Sequence, residues 1–400
     1  MPDVEFTNLL IVVVIALLAP LTLGLAPRLR LPAVVLEIVT GIVVGPQALG
    51  WVEVDLPVSI VSLLGLAFLL FLAGLEIDVH QLRGQMLHLA LLGYAATLVL
   101  GIAVGTVLEA VGWVKSPGLV AVTLSATSLG LVVPVLKDAG RVDSRLGQIV
   151  VAAASVADFA AIVLLSLLFS TSDASTGSRL VLLVSFAALI AATAVAATVV
   201  ARSKRLTTTL TTLQDTTAQI RVRAAVVLLV AFVTLAEQFG LESILGAFMA
   251  GAVVGLVDRD SASHPHFRTK LEAIGYGFLI PVFFVSSGMR LDLSGLMENP
   301  AALARVPLFL AALLAVRGLP ALLFSRLLDR RTVIAAGLLQ ATSLPFVVTA
   351  TQIGVLTGLM SGVTAAGLVC AGLLSVMVFP AVALLLLRSP QGDRPVSGSS

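Results

Sequence analysis

Apolar runs alternate with short polar connectors along almost the whole chain. A helix needs about 20 mostly apolar residues to cross a bilayer's hydrocarbon core. The pattern therefore predicts spans near 6–26, 31–49, 57–76, 86–111, 117–137, 146–169, 179–201, 222–239, 241–257, 271–289, 301–325, 332–353 and 358–387. The expected fold is all-α and integral to the membrane, with about thirteen transmembrane helices in one domain over 1–390. The 202–221 connector is a Thr-rich polar stretch, and 391–400 reads as a disordered tail. No connector is long enough for a separate soluble domain.

Composition agrees with a lipid solvent. Hydrophobic residues make up 58% of the chain and charged residues 12%, half of the roughly 25% charge of soluble domains. A net charge of +2 gives no basis for nucleic-acid binding. The single cysteine, Cys370, excludes an intrachain disulfide and a thiolate metal cluster. The start, MPDVEFTNLL, has acids where a secretory signal needs bases, so the first run reads as a retained helix. With the N-terminus outside, one side collects 19 of the 24 basic residues and the other only Lys115, Arg179, Arg290 and Arg305. That bias predicts a cell-membrane protein with a cytoplasmic C-terminus.

The chain also repeats itself. Residues 124–133 read LSATSLGLVV and 339–348 read LQATSLPFVV, seven matches in ten positions. Gly74-Leu-Glu-Ile-Asp78 is echoed by Gly288-Met-Arg-Leu-Asp292, and Gly41-Ile-Val-Val-Gly45 by Gly251-Ala-Val-Val-Gly255. The partners lie 215, 214 and 210 residues apart, in the same order. Each pair is separated by an odd number of spans, so the copies run in opposite directions. Inverted repeats are a common build of secondary transporters.

The first repeated string makes a poor continuous helix. Ser125, Thr127, Ser128 and Gly130 cluster in one copy, with Pro134 beyond; Thr342, Ser343 and Pro345 cluster in the other. Relative to Ala, Gly costs about 1 kcal/mol and Pro about 3 kcal/mol inside a helix. Backbone groups freed by a break survive in lipid only where they line a protein cavity. Two half-unwound helices that cross near the midplane are expected, with helix ends presented to an ion. The alternative is a pair of proline kinks whose Ser and Thr hydroxyls bond back to their own helices.

Three ionisable residues fall inside spans. Asp158 is the deepest, in VVAAASVADFAAIVLLSLL. Low dielectric favours the neutral carboxyl and a nearby cation the carboxylate, so such a residue can hold a proton or a metal cation. One acid with mutually exclusive ligands, exposed to each side in turn, yields antiport; a structural ion pair with Arg317 is the other reading. Arg317, in FLAALLAVRGLPALLF, stays charged at any working pH and is the candidate charge partner, or else a packing arginine that snorkels to an interface. Glu37, in LPAVVLEIVTGIVV, is a secondary candidate near a span end, and its repeat partner is Ala247. Glu76, Asp78, Arg290 and Asp292 read as membrane-edge or entrance-funnel residues, and Glu237 and Glu242 as solvated. The four histidines lack metal-ligand spacing, and no catalytic triad, phosphate-binding loop or dinucleotide motif occurs. Neither a cofactor nor an enzymatic activity is expected.

Several stretches are similar to a known family: LEIVTGIVVGPQALG at 36–50, FLLFLAGLEID at 68–78, the ATS-containing fifth span, ADFAAI at 157–162, LGAFMAGAVVG at 245–255 and IPVFFVSSGMRLDL at 280–293. The chain resembles bacterial cation:proton antiporters of the sodium/proton exchanger superfamily, on the branch that includes the Kef-type potassium efflux systems. That resemblance implies exchange of Na+ or K+ for H+, a homodimer in the lipid membrane, and an elevator motion. The dimerisation side would be roughly 1–80 and 222–290, and the transport core roughly 86–170 and 301–388. Asp158 falls at the family's ion-binding aspartate and Arg317 at its embedded Lys or Arg.

Two departures stand out. Many relatives carry Asn or Asp immediately before the binding aspartate, where this chain has Ala157. Electrogenic members resemble one another in having two adjacent acids and a lysine; one acid and one arginine favour electroneutral exchange. Kef-type proteins also carry a cytoplasmic nucleotide-sensing domain, which is not expected here. The competing readings are a sodium-coupled solute symporter of similar fold and a non-transporting sensor or channel-like subunit.

Overall fold

The computed structural model describes residues 5–25, 32–76, 84–142, 144–169, 176–201, 219–257, 265–298 and 300–387. The expected tail at 391–400 and most of the 202–221 stretch lie outside them, as does Asp78. The elements are α1 (Thr7–Leu25), α2 (Ala33–Val44), α3 (Leu56–Leu75), α4 (Gly84–Ala110), α5 (Pro117–Ser125), α6 (Leu129–Asp138), α7 (Arg145–Phe169), α8 (Thr176–Ala201) and α9 (Ile220–Gln238). There follow α10 (Ser243–Val257), α11 (Pro265–Ile274), α12 (Ile280–Met289), α13 (Leu293–Met297), α14 (Pro300–Leu303), α15 (Arg305–Leu313), α16 (Arg330–Gln340), α17 (Pro345–Leu356) and α18 (Gly362–Leu387).

Every run expected to span coincides with helix. Among the described residues, seven helices are long and apolar enough to cross a membrane, and α16 with α17, bent by 41° at their break, would make an eighth. The remaining runs are shorter apolar helices, such as Ala33–Val44, or, in α9, carry Arg221, Arg223 and Glu237. Length and composition among the described residues thus identify seven or eight crossings; the shorter apolar helices fall below that measure, which leaves the expected thirteen neither reached nor excluded. The chain is a multi-pass membrane protein. On α1 only 11% of the spanning window is buried, and Leu10, Leu17, Leu18 and Leu21 stand exposed, a face that suits hydrocarbon.

Local chemistry fixes the helix ends. Asp55 accepts the Val58 N–H at 3.0 Å and starts α3, with Pro57 in its first turn. Ser116 caps α5 and Asp329 caps α16 in the same way. Between α11 and α12, Gly275–Leu279 forms a π turn, and Leu314–Gly318 forms another after α15. Each is followed by a proline, Pro281 and Pro320, whose ring crowds the carbonyl four residues back and lacks an N–H to bond it, so the helix widens there.

Two groups of helices result. In the first, α3 packs on α10 and α12, α2 on α12, and α9 on α10. In the second, α4 packs on α5 and α7, and α16 and α15 pack on α18. Helix α8 touches both α7 and α10.

Glycines lock the first group together in a pattern that follows the repeat. A Cβ on Gly41 would overlap the Val285 carbonyl, and one on Gly288 the Ile38 carbonyl, so α2 and α12 meet backbone to backbone. Gly74 stands against Phe248 and Gly251 against Phe71 in the same fashion, joining α3 to α10. Gly41 and Gly251 are repeat partners, as are Gly74 and Gly288. The two contacts are thus one contact made twice, with the repeat partners exchanged.

Candidate functional site

The two broken helices meet at their breaks. After Ser125 the backbone is extended over Ala126–Ser128 before α6 begins, and α16 stops at Gln340 before Pro345 opens α17. The Ser128 N–H donates to the Thr342 carbonyl at 2.9 Å. The Thr127 hydroxyl donates to the Gln340 carbonyl at 2.6 Å. Ser375 on α18 supports the second break, accepting the Ser343 N–H at 3.3 Å and donating to the Ser343 carbonyl at 3.2 Å. Each break thereby supplies partners that its own helix has lost, which is what exposed backbone at membrane depth requires.

The hydroxyls divide between the two expected behaviours. Ser125 donates back to Val122 O at 2.8 Å and shares a 3.1 Å bond with the Tyr94 hydroxyl; Thr342 donates back to Leu338 O at 3.1 Å. Thr342 thus acts within its own helix, and Ser125 serves its own helix and Tyr94 of α4. Thr127 reaches across to the other break. The Ser343 hydroxyl and the Gln340 side-chain amide nitrogen are buried with no hydrogen-bond partner among the described residues.

Asp158 sits where the crossing begins. The Thr127 N–H donates to its Oδ1 at 3.1 Å, and the Leu129 N–H is directed at it as well. Leu129 is the first residue of α6. The carboxylate therefore faces free N–H groups and the positive end of a helix, an arrangement that suits an anion. It is half-buried and lines a cavity of about 80 Å³.

Arg317 is wholly buried, 1% exposed. Its Nε–H donates to the Thr127 hydroxyl at 2.7 Å and its Nη2 to the Ala153 carbonyl at 2.9 Å; Nη1 lies 3.5 Å from the Thr97 hydroxyl. Gly318 and Gly337 bring its helix close to α16, where an added Cβ on Gly337 would lie 2.9 Å from the Gly318 carbonyl. Arg317 and Asp158 interact electrostatically but form no ion pair among the described residues. Thr127 stands between them, with its hydroxyl turned to the guanidinium and its N–H to the carboxylate. The expected charge partner is thus close to Asp158 but linked to it through a third residue.

The cavity lies between the two helix groups. Thr127, Ser128 and Asp158 line it from one side, and Glu76, Tyr276 and Phe284 from the other. Sequence reasoning missed Tyr276, which is carried on the first π turn, and set Glu76 at a span end without connecting it to Asp158. The acid in Gly-Leu-Glu, following an apolar run, was the available signal for Glu76; Tyr276 had none. Glu37 is not brought into the site: it is buried in α2, 4% exposed, and does not line the cavity. No group of three or more His, Cys, Asp or Glu able to hold a metal ion occurs among the described residues.

Comparison with known proteins agrees with this architecture. The family model for the sodium/hydrogen exchanger transmembrane region matches residues 13–388. The putative Na(+)/H(+) antiporter YjbQ of Bacillus subtilis is 33% identical over 369 residues, which cover 88% of this chain and 58% of YjbQ. The chain thus spans little more than half of that relative's length. The Na(+)/H(+)-K(+) antiporter GerN of Bacillus cereus is 29% identical over 73% of this chain and 74% of its own. Among solved structures, the sodium proton antiporter MjNhaP1 from Methanocaldococcus jannaschii has the same fold, with a TM-score of 0.66 over 95% of this chain and 98% of that one at 16% identity.

Proposed function

The chain belongs to the sodium/hydrogen exchanger family, and from that premise we propose that it exchanges a monovalent cation, Na+ or K+, for H+ across the cell membrane. The observation that carries the reading is Asp158: a carboxylate at a helix N-terminus, beside the crossing of two broken helices, reached from a cavity. Its Oδ1 is held by the Thr127 N–H, and the carboxylate takes either a proton or a metal cation. Ser128 of the first break lines the same cavity and can offer oxygen to a dehydrated ion. The two ligands compete for one charge, so binding of one releases the other.

The exchange is electroneutral. Arg317 is committed to Thr127, Ala153 and Thr97 by its forked donors and carries no exchanging proton. Asp158 alone changes occupant. The neutral carboxyl and the carboxylate with its cation bear the same net charge, so both loaded forms cross alike.

Alternating access follows from the position of the cavity between two helix groups. The transport core, roughly 86–170 and 301–388, moves as an elevator against the dimerisation side, roughly 1–80 and 222–290. The dimerisation side carries the exposed apolar face of α1, which a second copy or lipid would cover. With the N-terminus outside, α3 ends in the cytoplasm, so a cavity lined by Glu76 opens inward in this conformation.

The test uses everted vesicles or proteoliposomes holding a pH dye, a proton gradient, and pulses of Na+, K+ or Li+. Cation-triggered proton movement in the wild type, lost in Asp158→Asn, is the expected result. A dye signal that no cation moves would remove the proposal, and undiminished exchange in the variant would remove Asp158 from it.

A further inference from the structure

We propose that Glu76 is an entry station of the cation pathway, holding the arriving Na+ or K+ at the cavity mouth before it reaches Asp158, and that Arg268 competes with the cation for this carboxylate. The inference rests on the exchange reading above and adds a second residue to it.

Three observations meet at Glu76. It lines the same cavity as Asp158, across from it on the other helix group. Its Oε1 is 3.5 Å from Arg268 Nη2, while its Oε2 is buried without a partner among the described residues. It also caps the C-terminal end of α3, where the helix dipole is negative and disfavours a carboxylate. Helix stability alone would place a basic residue here. An acid that its own helix opposes, with one oxygen lacking a partner among the described residues, attracts a cation.

Arg268 is suited to yield. Its Nε–H donates to Glu272 Oε1 at 2.8 Å, a shorter contact than the one it makes to Glu76. Its side chain is 50% exposed and that of Glu76 20%. The guanidinium thus sits on the solvent side and keeps one acid when a metal ion takes the other. An exposed ion pair of this kind contributes little stability, so its effect falls on the route into the cavity. Tyr276, Ser128 and Thr127 line the same cavity as Glu76 and Asp158.

The experiment measures the Na+ concentration for half-maximal proton movement in proteoliposomes of wild type, Glu76→Gln, Glu76→Asp, Arg268→Gln and the Glu76→Gln/Arg268→Gln pair. Glu76→Gln is expected to raise it by roughly tenfold with the maximal rate changed by less than about twofold, the signature of a lost charge outside the exchanging site. Glu76→Asp recovers part of that shift. Arg268→Gln lowers the half-maximal concentration in the wild-type background and has no effect in the Glu76→Gln background. A purely structural role would lower the amount or the rate of active protein and leave the half-maximal concentration in place. An unmoved value in Glu76→Gln, or an equal Arg268→Gln effect in both backgrounds, overturns the proposal. Should Glu76→Gln not fold, an unchanged value in Arg268→Gln alone overturns it. Failure of the wild type to exchange any cation removes the function itself, whereas an active wild type with insensitive variants removes only the entry station.

Discussion

Replacing Thr127 with Val keeps the side chain's shape and deletes its oxygen. Two hydrogen bonds go with it, the 2.6 Å bond to the Gln340 carbonyl and the 2.7 Å bond from Arg317 Nε. A neutral bond is worth about 1 kcal/mol net and one to a charged group about 1.5–3 kcal/mol, which together make roughly 2.5–4 kcal/mol. In a bilayer the unfolded chain also finds partners, and measured bonds average only about 0.6 kcal/mol with a maximum of about 1.7 kcal/mol. Against that reduction, the Nε–H of a fully buried guanidinium is left without its acceptor, at a cost of about 1–3 kcal/mol. We expect Thr127→Val to destabilise the protein by about 2–3 kcal/mol, and Thr127→Ser, which keeps the oxygen, by much less. Thermal unfolding of the detergent-solubilised protein should drop on the order of 5 °C for Val. The backbone N–H that holds Asp158 survives in both variants, so exchange by the folded fraction should persist. A Thr127→Val protein that melts with the wild type would refute the idea that this hydroxyl ties the two breaks together.

Arg317→Lys should not rescue Arg317→Ala in melting temperature or in exchange, because a single ammonium cannot reach Thr127, Ala153 and Thr97 with the forked geometry seen here; recovery in both measurements would show that only the charge matters. Gly41→Val should lower the yield of folded protein and its melting temperature, at a cost of about 3 kcal/mol or more, since the new Cβ meets the Val285 backbone. Gly130→Ala serves as its contrast: the added Cβ meets only the Tyr276 hydroxyl at 3.6 Å, so size-exclusion profile and melting temperature should match the wild type or rise slightly.

Much of this architecture was legible before any coordinates. Spans follow from apolar length, and the inversion follows from three short strings whose partners lie an odd number of crossings apart. The breaks follow from Gly, Pro, Ser and Thr clustered together, since single prolines leave α1 and α18 continuous. Asp158 could be singled out because a mid-span carboxylate has no inexpensive explanation. The limits are equally physical. Composition marks Thr127 and Ser125 as the same kind of residue, yet Thr127, within the break, bonds across the crossing, whereas Ser125, the last residue of α5, bonds its own helix and Tyr94. Arg317 reads as a charge partner, but the intervening Thr127 is a matter of three-dimensional order that spacing does not encode. Tyr276 lines the cavity because a π turn rotates it there, and the wider turn is set by a proline five residues later. Glu37 shows the converse: an acid in a span need not belong to the site.

The interlocked glycines bear on how the protein is made. Gly41 and Gly74 leave the ribosome early, and the backbones they press against, at Val285 and Phe248, emerge about two hundred residues later. At about 5–20 residues per second this is a delay of roughly 10–40 s, during which the early helices sit in the bilayer with their small-residue grooves filled by acyl chains. Final assembly must therefore expel lipid from both seams when the second half arrives.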